Sequence, residues 1–157
     1  KFKIFPFLNY KPIQSYLEDA KKVLARYASQ NGVKLTAQDL DDQLETMKNA
    51  FLNSPWANKK PLALEWPFDI SIGGRSLRGR IDAVFETENG IELIDWKTGV
   101  VGKSDDLQLA WYRFAWWKMT GTPIDKITAA FVYVPSMEIA RPKELLAPEV
   151  LLESISG

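Results

Sequence analysis

Three charged side chains carry the most chemistry in this chain. Asp82 closes the run Gly79-Arg80-Ile81-Asp82, and Asp95 and Lys97 sit in Ile94-Asp95-Trp96-Lys97-Thr98-Gly99. Two carboxylates beside an ammonium can hold a divalent cation, activate a water and balance charge building on a phosphodiester under attack. Glu65 offers a third carboxylate, and the backbone carbonyl of Trp96, between Asp95 and Lys97, a further oxygen ligand. Clustered carboxylates repel one another, and a bound cation removes that cost. Gln108 and Tyr112 follow at the spacing of one helical turn, so both reach one side of a helix. The chemistry requires the acids and the lysine to share a face, and that depends on the strands carrying them.

Asn89-Gly90 is a strong two-residue hairpin signal between strand-like segments at 76–87 and 91–98. With those residues as the turn, Glu88 pairs with Ile91, Asp82 with Lys97 and Val84 with Asp95. Opposed residues share a face, and so do residues two apart, so Asp82, Asp95 and Lys97 point the same way. The other face carries Ile81, Ala83, Phe85, Ile94 and Trp96 and reads as the buried side. A second turn at Gly73-Gly74 sets Glu65 opposite Asp82. Pro67 has no N–H for the ladder, so its strand must be an edge or carry a bulge there. A slip of one residue turns Glu65 to the other face. The plain alternative for the whole pattern is an exposed Asp82–Lys97 salt bridge, of a kind worth about 0–1 kcal/mol.

Around this hairpin the chain alternates helices and strands. Pro12 opens a helix over about 12–30, with Ile13, Tyr16, Leu17, Ala20, Leu24, Tyr27 and Ala28 at helical spacing and Gly32 as its stop. Thr36 and Asp39 form a capping box for a second helix, with Leu40, Leu44, Met47 and Phe51 on one face and Asn53-Ser54-Pro55 ending it. The first strand of the series runs over 62–72. Ser104 caps a helix to about 119, with Asp105 and Asp106 in its first turn, and Gly121 and Pro123 break it. A buried strand over 127–134 and a short helix over 142–152 follow. This order gives an α/β fold, a central mixed sheet flanked by helices. One domain over 1–157 is expected, with 1–55 a helical N-terminal part and 62–157 the core.

Composition narrows the chemistry further. The 157 residues include no cysteine, which excludes disulfides and thiolate sites, and no histidine, which excludes histidine triads and histidine ligands. A metal held by this chain is bound by oxygen, which favours Mg²⁺, Mn²⁺ or Ca²⁺. Net charge is zero, so no global field draws the protein onto nucleic acid, although Lys59, Lys60, Arg75, Arg78 and Arg80 lie close in sequence. No apolar stretch is long enough to span a membrane and no signal peptide is visible, so the expected location is cytoplasmic. No Gly-x-x-x-x-Gly-Lys-Ser/Thr phosphate loop is present. Trp111, Phe114, Trp116 and Trp117 nearly surround one helix, which reads as burial rather than as a platform for bases.

The combination of Gly79-Arg-Ile-Asp82, Ile94-Asp-Trp-Lys-Thr-Gly99 and Gln108-Leu-Ala-Trp-Tyr112 resembles the signature of RecB-type nucleases, in the PD-(D/E)XK or restriction-endonuclease-like superfamily. The resemblance is strongest over 62–112, where Glu65-Trp-Pro-Phe is similar to the acidic strand of these proteins. More weakly, Ala130-Phe-Val-Tyr-Val, Arg141-Pro and Phe51-Leu-Asn-Ser-Pro-Trp resemble the nuclease module of bacterial UvrD-like helicases. The resemblance implies a restriction-endonuclease-like fold with 62–157 as nuclease core. It implies metal-dependent cleavage of DNA, exonucleolytic on single strands, with Mg²⁺ or Mn²⁺ as cofactor. Asp82, Asp95, Glu65 and the Trp96 carbonyl are implied as ligands, Lys97 as catalytic lysine, and Gln108 and Tyr112 as supports of the site and the DNA backbone. The implied partner is a helicase motor in the same polypeptide, in DNA repair or recombination, of which a chain starting at Lys1 is a piece. Many RecB-type nucleases carry a histidine ligand on an upstream helix, and this chain has none. The alternatives are therefore an impaired nuclease-fold module that binds DNA or a partner protein, and a purely structural domain.

Overall fold

The computed structural model describes Ser29, Gly32, Lys34 and residues 36–97, 105–133 and 136–155. The chain divides into two units, 1–58 with 134–137, and 59–133 with 138–157. In the first, helix α1 spans Ala37–Leu52. Its start is the expected capping box: Thr36 Oγ1 accepts from the Asp39 N–H at 3.0 Å, and Asp39 Oδ2 accepts from the Thr36 N–H at 2.9 Å. Those two bonds, the backbone one foremost, hold the Asp39 carboxyl below its usual range. Leu44, Met47 and Phe51 bury the apolar face, and Asn53 caps the end before a 3-10 turn over Pro55–Asn58. The helix expected over 12–30 falls almost wholly outside the described residues.

The second unit holds a five-stranded sheet: β1 Ala63–Ile72, β2 Arg75–Thr87, β3 Gly90–Lys97, β4 Ile127–Tyr133 and β5 Glu138–Ala140, in that spatial order. All neighbours are antiparallel except β3 and β4, which are parallel. A parallel pair needs a crossover, and helix α2, Asp106–Thr120, supplies it and packs on both strands. A last helix, α3, Pro148–Ile155, packs against α2. Leu109, Phe114, Phe131 and Leu151 are fully buried between these elements and the sheet. The α2 aromatics are core: Trp116 lies 4.8 Å from the Trp66 ring, and Phe114 meets the Trp111 and Trp117 rings edge-on.

The β1–β2 register is the expected one, with Ile72 opposite Arg75 and Trp66 opposite Ile81. Gly73 and Gly74 both take positive φ, 55° and 79°, as the tight turn requires. β1 is the sheet edge, which accommodates Pro67. The β2–β3 register differs from the expected one. Thr87 pairs with Gly90 and Val84 with Leu93, so the turn is Glu88-Asn89 and Val84 does not face Asp95. In this register Gly90 opens the ladder beside the start of β4, where a Cβ would clash with the Lys126 carbonyl oxygen, so only glycine fits there. The shift is even, so Asp82, Asp95 and Lys97 keep a common face.

Two further expectations need correction. Asp105, not Ser104, is the α2 cap, its Oδ1 accepting from the Leu107 N–H at 2.9 Å; Ser104 lies outside the described residues. The final helix starts at Pro148, not near Pro142, because the Leu145 and Leu146 carbonyls bind Arg113 Nη2 at 3.0 and 3.1 Å instead of a helical ladder. The edge strand β5 had no separate sequence signal. β3 is also buried on both faces, with Leu93 and Ile94 at 0% exposure, as an inner parallel strand is.

Candidate active site

Asp82 and Asp95 are both fully buried, at 0% exposure. That overturns the wet-surface salt bridge as an account of the pattern. The β2–β3 pairing ends at Ala83 and Ile94. Just beyond it, the Asp82 side chain takes the place of a ladder carbonyl, and Oδ2 accepts from the Trp96 N–H at 2.8 Å. Both acids therefore sit where the paired register ends. Lys97 pairs with Asp95 on its own strand, Nζ to Oδ2 2.9 Å, rather than with Asp82 across the hairpin. The same Nζ donates to Gln108 Oε1 at 3.0 Å and lies 5.2 Å above the Phe131 ring. Phe131 reaches the site because β4 runs parallel to β3 with Phe131 beside Asp95.

Gln108 links the lysine to Tyr112. Its Nε2 donates to the Tyr112 hydroxyl at 2.7 Å, which leaves the phenol its own proton to donate. Tyr112 is buried and edge-on to Phe68 at 5.9 Å. Burial, then the charge of Asp95, and more weakly those of Asp82 and Glu65, push its pKa up to about 12 against the opposing Gln108 bond. Tyr112 therefore stays protonated at any physiological pH. Glu65 itself has φ 46°, a left-handed conformation costing a non-glycine residue about 1–3 kcal/mol. Its side chain is only 10% exposed and pairs with Arg80 Nη1 at 3.3 Å.

The structure thus links Asp95, Lys97, Gln108 and Tyr112 in one chain of contacts, holds Asp82 through the Trp96 N–H, and ties Glu65 to Arg80. Trp96 contributes its N–H to Asp82. Among the described residues no group of three His, Cys, Asp or Glu side chains stands at metal-holding spacing. The donors that are present, two buried carboxylates on one face, are the hard oxygen ligands that a divalent cation of the Mg²⁺ type would take. Two neighbours of the site were not foreseen. Phe131 had no local signal, since its place depends on the crossover. Arg80 had one, its position two residues before Asp82 and so on the same face.

Residues 10–154 match the family model of the PD-(D/E)XK nuclease superfamily. The chain belongs to that superfamily. The expected restriction-endonuclease-like α/β fold, a mixed sheet flanked by helices, holds. Among solved structures, the chain is similar to a candidate exonuclease from Eubacterium rectale, at 12% identity and TM-score 0.47, covering 92% of this chain and 59% of that one. It is also similar to the protein SSO0001, at 17% identity and TM-score 0.39, covering 87% and 70%. No curated protein matches it. Among the described residues no helix is long and apolar enough to cross a membrane.

Proposed function

We propose that this domain hydrolyses phosphodiester bonds of DNA with Mg²⁺ or Mn²⁺, as the RecB-type nuclease part of a helicase–nuclease working in repair or recombination. The observation that carries this is the continuous Asp95–Lys97–Gln108–Tyr112 chain beside buried Asp82, in a member of a nuclease superfamily. Asp82 and Asp95 would hold the cation, with Glu65 and the Trp96 carbonyl as further oxygen ligands. When bound, a divalent cation supplies Lewis acidity to a phosphoryl oxygen and acidifies a water. The residues do the rest. Asp82, anchored by the Trp96 N–H, keeps its carboxylate fixed at the end of the β2–β3 pairing. Lys97, held by Asp95, Gln108 and Phe131, presents an ammonium in a partly buried site, where it orients the attacking water and offsets charge growing on the phosphate. Tyr112 stays neutral and offers its hydroxyl proton to a backbone oxygen of the strand. Single-stranded DNA, exonucleolytic action and delivery by a motor domain complete the proposal.

One observation favours a second reading. Among the described residues the acids do not form a three-carboxylate group, and the sequence holds no histidine to complete one. On that reading the domain binds DNA or a partner without cleaving. A Mn²⁺ titration read by calorimetry separates the two. The nuclease reading predicts binding that Asp82→Ala weakens at least about tenfold, together with Mn²⁺-dependent release of nucleotides from DNA. The non-catalytic reading predicts equal, weak binding in parent and Asp82→Ala.

A further inference from the structure

Glu65 and Arg80 form an unequal pair. The Glu65 side chain is 10% exposed and that of Arg80 59%, with Nη1 3.3 Å from Oε2. The carboxylate is the buried partner and the guanidinium the one facing water. Arg80 stands on the β2 face that carries Asp82, about 7 Å along the strand at the usual rise. Glu65 lies between Leu64 and Trp66, which pair with Ala83 and Ile81, so it falls opposite Asp82. Arg80, exposed two residues before Asp82, is therefore committed to an acid outside the Asp82/Asp95 pair.

We propose that Arg80 is an exchangeable counter-ion that couples DNA binding to cation binding; this rests on the function proposed above. Without DNA, Arg80 neutralises Glu65 and leaves a two-carboxylate site. A backbone phosphate at Arg80 offers the guanidinium a bidentate partner, one that the fork of Arg fits well. Arg80 then leaves Glu65. A carboxylate this buried does not stay uncompensated, since an unpaired charge out of water is costly. A divalent cation at Asp82 and Asp95 supplies the replacement charge, so the cation binds more tightly once the strand has taken Arg80. Linkage makes the effect reciprocal, and the cation strengthens DNA binding by the same factor. Arg78, which pairs with Asp69 at 3.0 Å with both side chains exposed, has no buried carboxylate to release and provides the comparison.

The test is a double-mutant cycle on cation affinity without DNA, using Mn²⁺ calorimetry on the whole chain, with circular dichroism to show that each variant is folded. Arg80→Ala should bind Mn²⁺ about two- to fivefold more tightly than the parent, the scale expected for a half-exposed pair. In a Glu65→Gln background the same substitution should change nothing, and Arg78→Ala should be without effect in either. In EDTA, Glu65→Gln should strengthen binding of a single-stranded oligonucleotide only while Arg80 is present. An Arg80→Ala gain of equal size with and without Glu65 would show simple charge removal and overturn the coupling. So would an unchanged or weakened Mn²⁺ affinity. If the parent binds Mn²⁺ no better than Asp95→Asn, the functional reading itself fails and the coupling falls with it.

Discussion

Replacing Gly79 by alanine is predicted to destabilise the β1–β2 ladder that carries Asp82. Gly79 pairs with Phe68 across the β1–β2 ladder, and the Phe68 ring lies over the glycine. A Cβ there would meet Phe68 Cζ at 2.5 Å, Cε1 at 2.9 Å and Cε2 at 3.2 Å. Carbon pairs prefer about 3.5–4.0 Å, so the ring must move by about 1 Å. It has little room, being buried between the Tyr112 ring at 5.9 Å and the Trp66 ring at 6.2 Å. Overpacking of this kind costs about 1–3 kcal/mol. Alanine in a strand regains about 0.5–1 kcal/mol over glycine, leaving a net loss of up to about 2.5 kcal/mol, and the near-immobile ring puts this site toward the upper end. Urea unfolding at constant m reads it as a lower midpoint. Phe68→Leu removes the clashing atoms, so the double variant should lose less than the sum of the singles by at least about 0.5 kcal/mol. A Gly79→Ala variant as stable as the parent, or strict additivity with Phe68→Leu, would refute the packing argument.

Other outcomes follow from the same geometry. Gln108→Ala removes the only described link between Lys97 and Tyr112, and should lower the single-turnover cleavage rate about 10–100-fold while DNA affinity changes little. Tyr112→Phe should flatten the alkaline limb of stability. The folded phenol titrates near 12 and the unfolded one near 10, so its contribution is complete below pH 10 and lost as pH rises to 12. Unfolding free energies from urea curves should therefore fall by up to about 2–3 kcal/mol more in the parent than in the variant over that window, less any screening by solvent, and parallel curves would contradict the shift. Thr36→Ala should cost α1 about 1 kcal/mol, measured by loss of helicity on heating. Because Asp39 is held below its usual value, the capping contribution is present above the unfolded pKa and fades as pH falls through the folded one.

Local chemistry was legible where a few adjacent residues decide the outcome. Gly73-Gly74 fixed the β1–β2 register and so the position of Glu65, and Thr36 with Asp39 marked the α1 start to the residue. Misreadings occur where a distant segment decides. Gly90 looks like half of a turn until the Lys126 carbonyl is seen against it. The 142–147 stretch looks helical until Arg113 takes the Leu145 and Leu146 carbonyls. For the candidate site, spacing put Asp82, Asp95 and Lys97 on one face whichever even register held. It could not choose the partner of Lys97, which depends on where the β2–β3 pairing ends. Nor could it show that Glu65 adopts a left-handed conformation, a local cost that only the assembled sheet offsets.

The most direct test of the central claim is cleavage of end-labelled single-stranded DNA by the chain in Mn²⁺, in Mg²⁺ and in EDTA, with Asp95→Asn and Lys97→Ala beside the parent. The account predicts cleavage with either cation, none in EDTA, and loss of at least about a hundredfold in both variants, a difference of about 2.7 kcal/mol in the barrier. Cleavage that persists in EDTA or survives both substitutions, or a parent that leaves the DNA intact under every condition, would contradict it.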